Sequence, residues 1–225
     1  MKKLIILSVL FLSIQSGYCQ GKIYLGINIS PSLSYAVVPG FSSYFEEKSD
    51  FSFGINGIYF FDSNLFFKTA LIFNQRSYAI NGIPNPTYGL NGNWNIIDIG
   101  SYDDSQTFDD TETYQSFMLP LMFNYKFSNL NKTSFLIVGG IELGYLFNVK
   151  YVYAFSDGEQ KIYNINHKNF IGSFNLGAGL FQPISDNYLL LITPRYSYAF
   201  YPNRGDKSLN FHSVYLDIDF YFKMI

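Results

Sequence analysis

The chain is poor in cysteine, tryptophan, charge and long apolar runs. Cys19 is its one cysteine and Trp94 its one tryptophan among 225 residues. A single cysteine excludes an internal disulfide, and a chain cleaved after Cys19 has neither a thiol nucleophile nor a Cys-based metal site. Charged residues make up 14 % of the sequence, with a net charge of −2 and no basic cluster, so the electrostatic footprint of a nucleic-acid binder is missing. Past the first twenty residues there is no run of about 18 apolar residues that could cross a bilayer as a helix. The mean hydropathy of +0.06 is likewise too low for a helical membrane protein. No HExxH, P-loop or GxGxxG motif is found. The two histidines, His167 and His212, have no serine and acid beside them in a nucleophile arrangement. His212 with Asp206 is the only candidate for a rim-located membrane enzyme, and the sequence points to no catalysis and no cofactor.

Aromatic residues are abundant, at 20 % of the chain, with 20 Tyr and 24 Phe. They fall in alternating segments. From His212 to Met224, Val214, Leu216, Ile218, Phe220 and Phe222 share one face, while Ser213, Tyr215, Asp217, Asp219, Tyr221 and Lys223 share the other. An oily face opposite a charged one fits a membrane barrel with lipid outside and a polar interior. A soluble lipocalin-type barrel would need an apolar lumen, and it would leave Lys68, Glu142, Arg195, Asp217 and Asp219 on the wrong side.

The start of the chain reads as a secretion signal. Lys2 and Lys3 precede an apolar run from Leu4 to Ile14, and small residues at Gly17 and Cys19 suit cleavage before Gln20. Tyr18 stands where a lipoprotein signal wants a small residue, which argues against lipidation. The expected organisation is a signal peptide over 1–19 and an outer-membrane barrel over 20–225, in a Gram-negative-type envelope.

Period-two alternation predicts eight strands: 22–37, 51–61, 65–79, 113–127, one starting near Ser134, one ending near Gln182, 187–201 and 212–224. Short turns at 62–64, 128–133 and 183–187 alternate with longer connections at 38–50, 80–112, around Asp157-Gly158, and 202–207. This is the pattern of an all-β, eight-stranded, antiparallel up-and-down transmembrane barrel with short turns facing the periplasm. Val149 to Phe155 and Lys161 to Asn166 read as a hairpin that extends the sheet past the bilayer. Pro120, which has no N–H to donate, predicts a bulge in the fourth strand.

The chain resembles the PorT-like small outer-membrane β-barrels over nearly its whole mature length. The resemblance lies in Leu71-Ile72-Phe73-Asn74-Gln75-Arg76, in Phe117-Met118-Leu119-Pro120-Leu121-Met122-Phe123-Asn124-Tyr125-Lys126-Phe127 and in Val138-Gly139-Gly140-Ile141-Glu142-Leu143-Gly144-Tyr145. It continues in Gly177-Ala178-Gly179 and Arg195-Tyr196-Ser197-Tyr198. The chain departs from the family habit at Ser116 and Met118, where Tyr and Glu often precede the proline, and at Arg76-Ser77, where Lys-Gly is common. The resemblance implies a barrel in the outer membrane, with a part in protein secretion for some members.

Two groups of residues are candidates for function. Arg195, Asp217, Asp219, Glu142, Lys68 and Arg76 are expected to form a structural ion-pair network in the lumen, with Arg195 directly opposite Asp217. Trp94, Tyr151, Tyr153 and Tyr163 are expected on external loops, where they would meet a partner protein. The acidic stretch Asp98, Asp103, Asp104, Asp109, Asp110 and Glu112 reads as a solvated loop, since its spacing fits no EF-hand. The function expected is a non-catalytic structural or interaction role at the cell surface, accessory to secretion by resemblance. The alternative is a binder or conduit for a small or hydrophobic ligand. The expected surroundings are outer-membrane lipid, no nucleic acid and a monomeric state.

Overall fold

The computed structural model describes residues 22–37, 45–84, 88–90, 96–98, 107–128, 132–155, 158–166, 169–204 and 207–224. The signal segment, the cleavage point, Trp94, His167 and Asp206 lie outside these residues. The strands are β1 (Ile23–Val37), β2 (Phe45–Phe60), β3 (Leu65–Pro84), β4 (Tyr88–Leu90), β5 (Ile96–Asp98), β6 (Thr107–Lys126), β7 (Ser134–Phe155), β8 (Gln160–Ile165), β9 (Asn169–Pro183), β10 (Tyr188–Arg204) and β11 (Lys207–Lys223). Eight of them form one closed antiparallel sheet in the order β1-β2-β3-β6-β7-β9-β10-β11, with β11 returning to β1. β4 and β5 pair only with each other, and β8 adds to the far end of β7.

The alternation in the sequence becomes the two faces of this wall. Ile55, Phe135 and Leu176 are 65 %, 72 % and 69 % exposed, values that no water-facing barrel would tolerate for its largest apolar side chains. They belong to a band that ends in aromatic girdles, as lipid interfaces favour. One girdle, by the short turns, includes Tyr59, Phe61, Phe123, Tyr125 and Phe127, with Tyr59 edge-on to Phe61 and Tyr125 edge-on to Phe127. The other includes Phe73, Phe117, Phe147, Tyr145 and Phe170. Beyond Phe73 and Phe117 the outward residues turn polar: Asn148 Nδ2 donates to Gln115 Oε1 at 3.0 Å, and Gln75 Nε2 donates to Asp50. Lipid contact therefore stops there, although β3, β6 and β7 continue.

At the short-turn end, Asp62 Oδ1 accepts the Asn64 and Leu65 amides at 2.6 and 2.7 Å. These bonds hold its carboxyl below the usual carboxylate range. The small bore requires neighbouring strands to approach closely. A Cβ on inward-facing Gly140 would lie 2.2 Å from the Leu121 carbonyl oxygen, and one on Gly54 2.2 Å from that of Leu71.

Several strands differ from the sequence reading. β2 begins at Phe45 rather than 51, β3 runs to Pro84 rather than 79, and β6 begins at Thr107 rather than 113. These added lengths lie beyond the lipid band, where no oily face marks a strand. Pro120 causes no bulge: Thr69 pairs with Leu121 and Ile72 with Met118, so the register passes the proline unchanged. The shift on β6 falls instead between Gln115 and Ser116, which pair with Asn148 and Leu146 of β7. Phe147 is the extra residue. The predicted hairpin is present, with Tyr151 across from Tyr163 and a turn in which Gly158 adopts a φ of 90°.

Candidate functional site: the layered lumen

Inward side chains stack in three layers. Nearest the short turns is an apolar layer that includes Tyr24, Phe60, Phe66, Leu136, Phe181 and Tyr221. At the long-loop end is a second, with Tyr78, Tyr114, Leu146, Tyr151, Tyr153 and Phe211. The ion-paired layer lies between them, while buried Lys126 lies over Phe181 in the first and Asp110 and Glu112 stand among the tyrosines of the second.

The six charged residues expected in the lumen are all buried and connected. Arg195 Nε donates to Asp217 Oδ2 at 2.8 Å, and its NH1 donates to Glu142 Oε1 at 2.9 Å and to Asn175 Oδ1. Arg76 NH2 lies 3.5 Å from Glu142 Oε2. Lys68 Nζ donates to Asp219 Oδ2 at 2.5 Å and lies 3.9 Å from Asp217. The expected register between Arg195 and Asp217 is corrected: Arg195 stands across from Tyr215, and Thr193 across from Asp217. The arginine spans the two-residue offset because its long side chain leans along the strand.

Polar neighbours that carried no charge signal complete the network. Ser30 Oγ donates to Asp217 Oδ1 at 2.6 Å, and the Asn28 and Asn56 amides donate to Asp219 Oδ1 at 2.7 and 2.6 Å. Tyr215 lies under the Arg195 guanidinium, 4.4 Å from ring centroid to carbon, and accepts from Arg76 Nε at 2.8 Å. Their inward positions on alternating strands were the only sign in the sequence. Buried charges held by pairs and further hydrogen bonds are the condition under which such a layer is tolerated. The void beside it, lined by Lys68, Pro120, Glu142, Thr193, Arg195 and Asp217, measures about 10 Å³. That is room for about one water molecule.

Two of the tyrosines expected to face a partner, Tyr151 and Tyr153, turn inward instead. Tyr151 and Tyr153 are 1 % and 0 % exposed and belong to the inner aromatic layer. The bulge at Phe147 is the cause: odd-numbered β7 residues face lipid before it and the lumen after it, because one added residue reverses the faces. Tyr163 is half-buried, packing edge-on to Tyr153 at 5.8 Å. Asp109, Asp110 and Glu112 are not in a solvated loop but on β6, where Asp110 and Glu112 are buried. Burial, then the neighbouring Glu112, push the Asp110 carboxyl up. Burial, with Asp110 and Glu112 nearby, likewise raises the Tyr153 phenol. His212 faces outward at the upper girdle, where it stacks on Tyr35 at 4.8 Å and bonds Tyr196 OH through Nδ1 at 2.5 Å.

A closed eight-stranded sheet with an apolar exterior and a charged, filled interior defines an outer-membrane β-barrel. A family model described as outer membrane protein beta-barrel domain matches residues 15–205, and the chain belongs to that family. No curated protein sequence matches it. Among solved structures it is similar to the outer membrane protein OprG from Pseudomonas aeruginosa, at 9 % identity over 92 % of this chain and 98 % of that one, with a TM-score of 0.43. Neisserial surface protein A is 12 % identical over 90 % and 97 %, TM-score 0.42. Ail, the attachment invasion locus protein of Yersinia pestis, in complex with the heparin analogue sucrose octasulfate, is 11 % identical over 90 % and 99 %, TM-score 0.41.

Proposed function

We propose that this protein is a non-conducting, non-catalytic barrel that serves as an anchored interaction platform at the cell surface. The observation that carries the reading is the filled lumen, with two aromatic layers enclosing an ion-paired one and a void of only about 10 Å³ in the charged layer. A conduit needs a continuous path, and eight strands leave an interior just wide enough for side chains. With short turns toward the periplasm, the taller wall of β3, β6, β7 and β8 stands outside the cell. β8 pairs with β7 on one side, and no strand is paired with its other side among the described residues. That edge suits a partner that adds a strand. The resemblance to PorT-like barrels supports an accessory part in secretion; unchanged secreted-protein levels in a deletion strain would remove that part of the reading.

Planar-bilayer recording of the purified, refolded protein tests the main claim. The expected result is a baseline without discrete steps. A stable open-channel conductance would overturn it in favour of a conduit.

A further inference from the structure

We infer that the enclosure around Asp110 and Glu112 is a binding site for an alkylammonium group. Both residues point inward from β6, and Asp110 lies seven residues before Phe117, where the lipid-facing aromatics begin. Asp110 is 1 % exposed, and neither of its carboxylate oxygens meets a hydrogen-bond donor. Across the ladders Asp110 stands between Ile80 of β3 and Tyr153 of β7, and Glu112 between Tyr78 and Tyr151. Tyr114 OH donates to Glu112, and Tyr163 of β8 packs edge-on to Tyr153.

A buried carboxylate without a donor must be neutralised or pay a large desolvation cost. Three agents can do this: a metal ion, a proton or an organic cation. A hard metal ion wants about six or more oxygen ligands. Two acids are present, and no group of three or more metal-ligating side chains occurs among the described residues. A proton would account for Asp110 alone. Carboxylates set among tyrosine rings are the chemistry that holds an ammonium group, whose N–H groups need acceptors and whose adjoining methylenes lie against ring faces. We place the way in beside β8, whose edge toward β10 has no paired strand among the described residues. This site does not rest on the platform reading, although a strand docked on the open edge of β8 would cover its way in.

The test is calorimetric titration of the full-length protein, refolded in detergent micelles, with 1,4-diaminobutane at about pH 8, on the alkaline side where protons compete less for Asp110. Asp110→Asn removes the charge without removing any hydrogen bond, so this variant should fold; Glu112→Gln is the second variant, and Asp186→Asn at the opposite end is the control. Saturable binding is expected, weakened about tenfold or more in the first two variants and unchanged in the third. Binding should also weaken as the pH is lowered and protons compete for Asp110. Absence of saturable binding would overturn the site, as would equal affinity in Asp110→Asn. So would displacement of the amine by calcium chloride but not by sodium chloride at matched ionic strength, which would assign the site to a metal ion.

Discussion

Arg195 reaches Asp217 diagonally. The β10–β11 ladder places Arg195 across from Tyr215, yet its Nε lies 2.8 Å from the Asp217 carboxylate. The guanidinium passes over the Tyr215 ring to do so, and the same group bonds Glu142 on β7. With its bond to Asn175 on β9, one side chain connects four strands, so its loss and the loss of its partner should not be independent.

Asp217→Asn is expected to destabilise the barrel by about 3–5 kcal/mol, since it leaves Arg195 and Lys68 short of a buried counter-charge. Combining it with Arg195→Gln should cost less than the sum of the two single changes, by about 0.5–3 kcal/mol. Urea titrations of refolding into lipid vesicles measure both. Simple additivity would mean that the two groups do not share one network.

Leu216 lies within the lipid band, and Leu216→Arg should cost about 2–4 kcal/mol in the same assay. Thr111→Arg, on the outward face of β6 beyond Phe117, should stay within about 0.5 kcal/mol. Equal penalties at the two positions would shift the edge of the band.

Gly140→Ala places a methyl group 2.2 Å from the Leu121 carbonyl oxygen. Overpacking of this kind costs about 1–3 kcal/mol, and here the obstacle is backbone, which cannot swing away. Gly139→Ala is the control: it faces outward, and its Cβ would meet Leu176 at an ordinary 3.4 Å. It should be neutral in heat-modifiable gel migration, whereas Gly140→Ala loses folded protein.

Asp110 has its carboxyl raised by burial and by Glu112. A group whose proton is held more tightly in the fold lowers stability as pH rises from its unfolded value toward its folded one, and the penalty persists above that. In amine-free buffer Asp110→Asn should therefore gain about 1–3 kcal/mol at neutral pH and gain nothing below the ordinary carboxylate range. A gain of the same size at both pH values would place the effect outside this titration.

A cysteine placed at Gly158 should react with a membrane-impermeant maleimide on intact cells, while one at Ser63 should not. Equal labelling would reverse or abolish the assignment of the two ends.

The faces of β11 were readable because Val214 to Phe222 alternate without interruption, and the inward charges followed from that. Register was less readable: a two-residue change in the pairing of Arg195 alters no side chain's face, so alternation alone does not distinguish the two. The outer third of the barrel was hidden for a different reason. Beyond Phe117 neither face of β6 meets lipid, and Asp109 to Glu112 therefore looked like a loop. Tyr151 and Tyr153 were assigned outward because nothing in the composition around Phe147 marks an inserted residue, and a single insertion exchanges inside for outside. Asn28, Asn56 and Tyr215 carry no charge, so only their placement revealed them as part of the network.

The ordering of charges along the chain bears on assembly. Lys68 and Arg76 arrive on β3 and Arg195 on β10, whereas the carboxylates that satisfy Lys68 and share Arg195 come with β11, the last strand to be made. Until β11 is in place, an incomplete barrel would hold Lys68 without Asp219 and Arg195 without Asp217, leaving Glu142 alone to face Arg195 among the pairs of the charged layer. The final strand is then a keystone as well as a closing edge: its arrival neutralises the interior at the moment it zips the sheet shut, which favours joining the correct edges over inserting half-built.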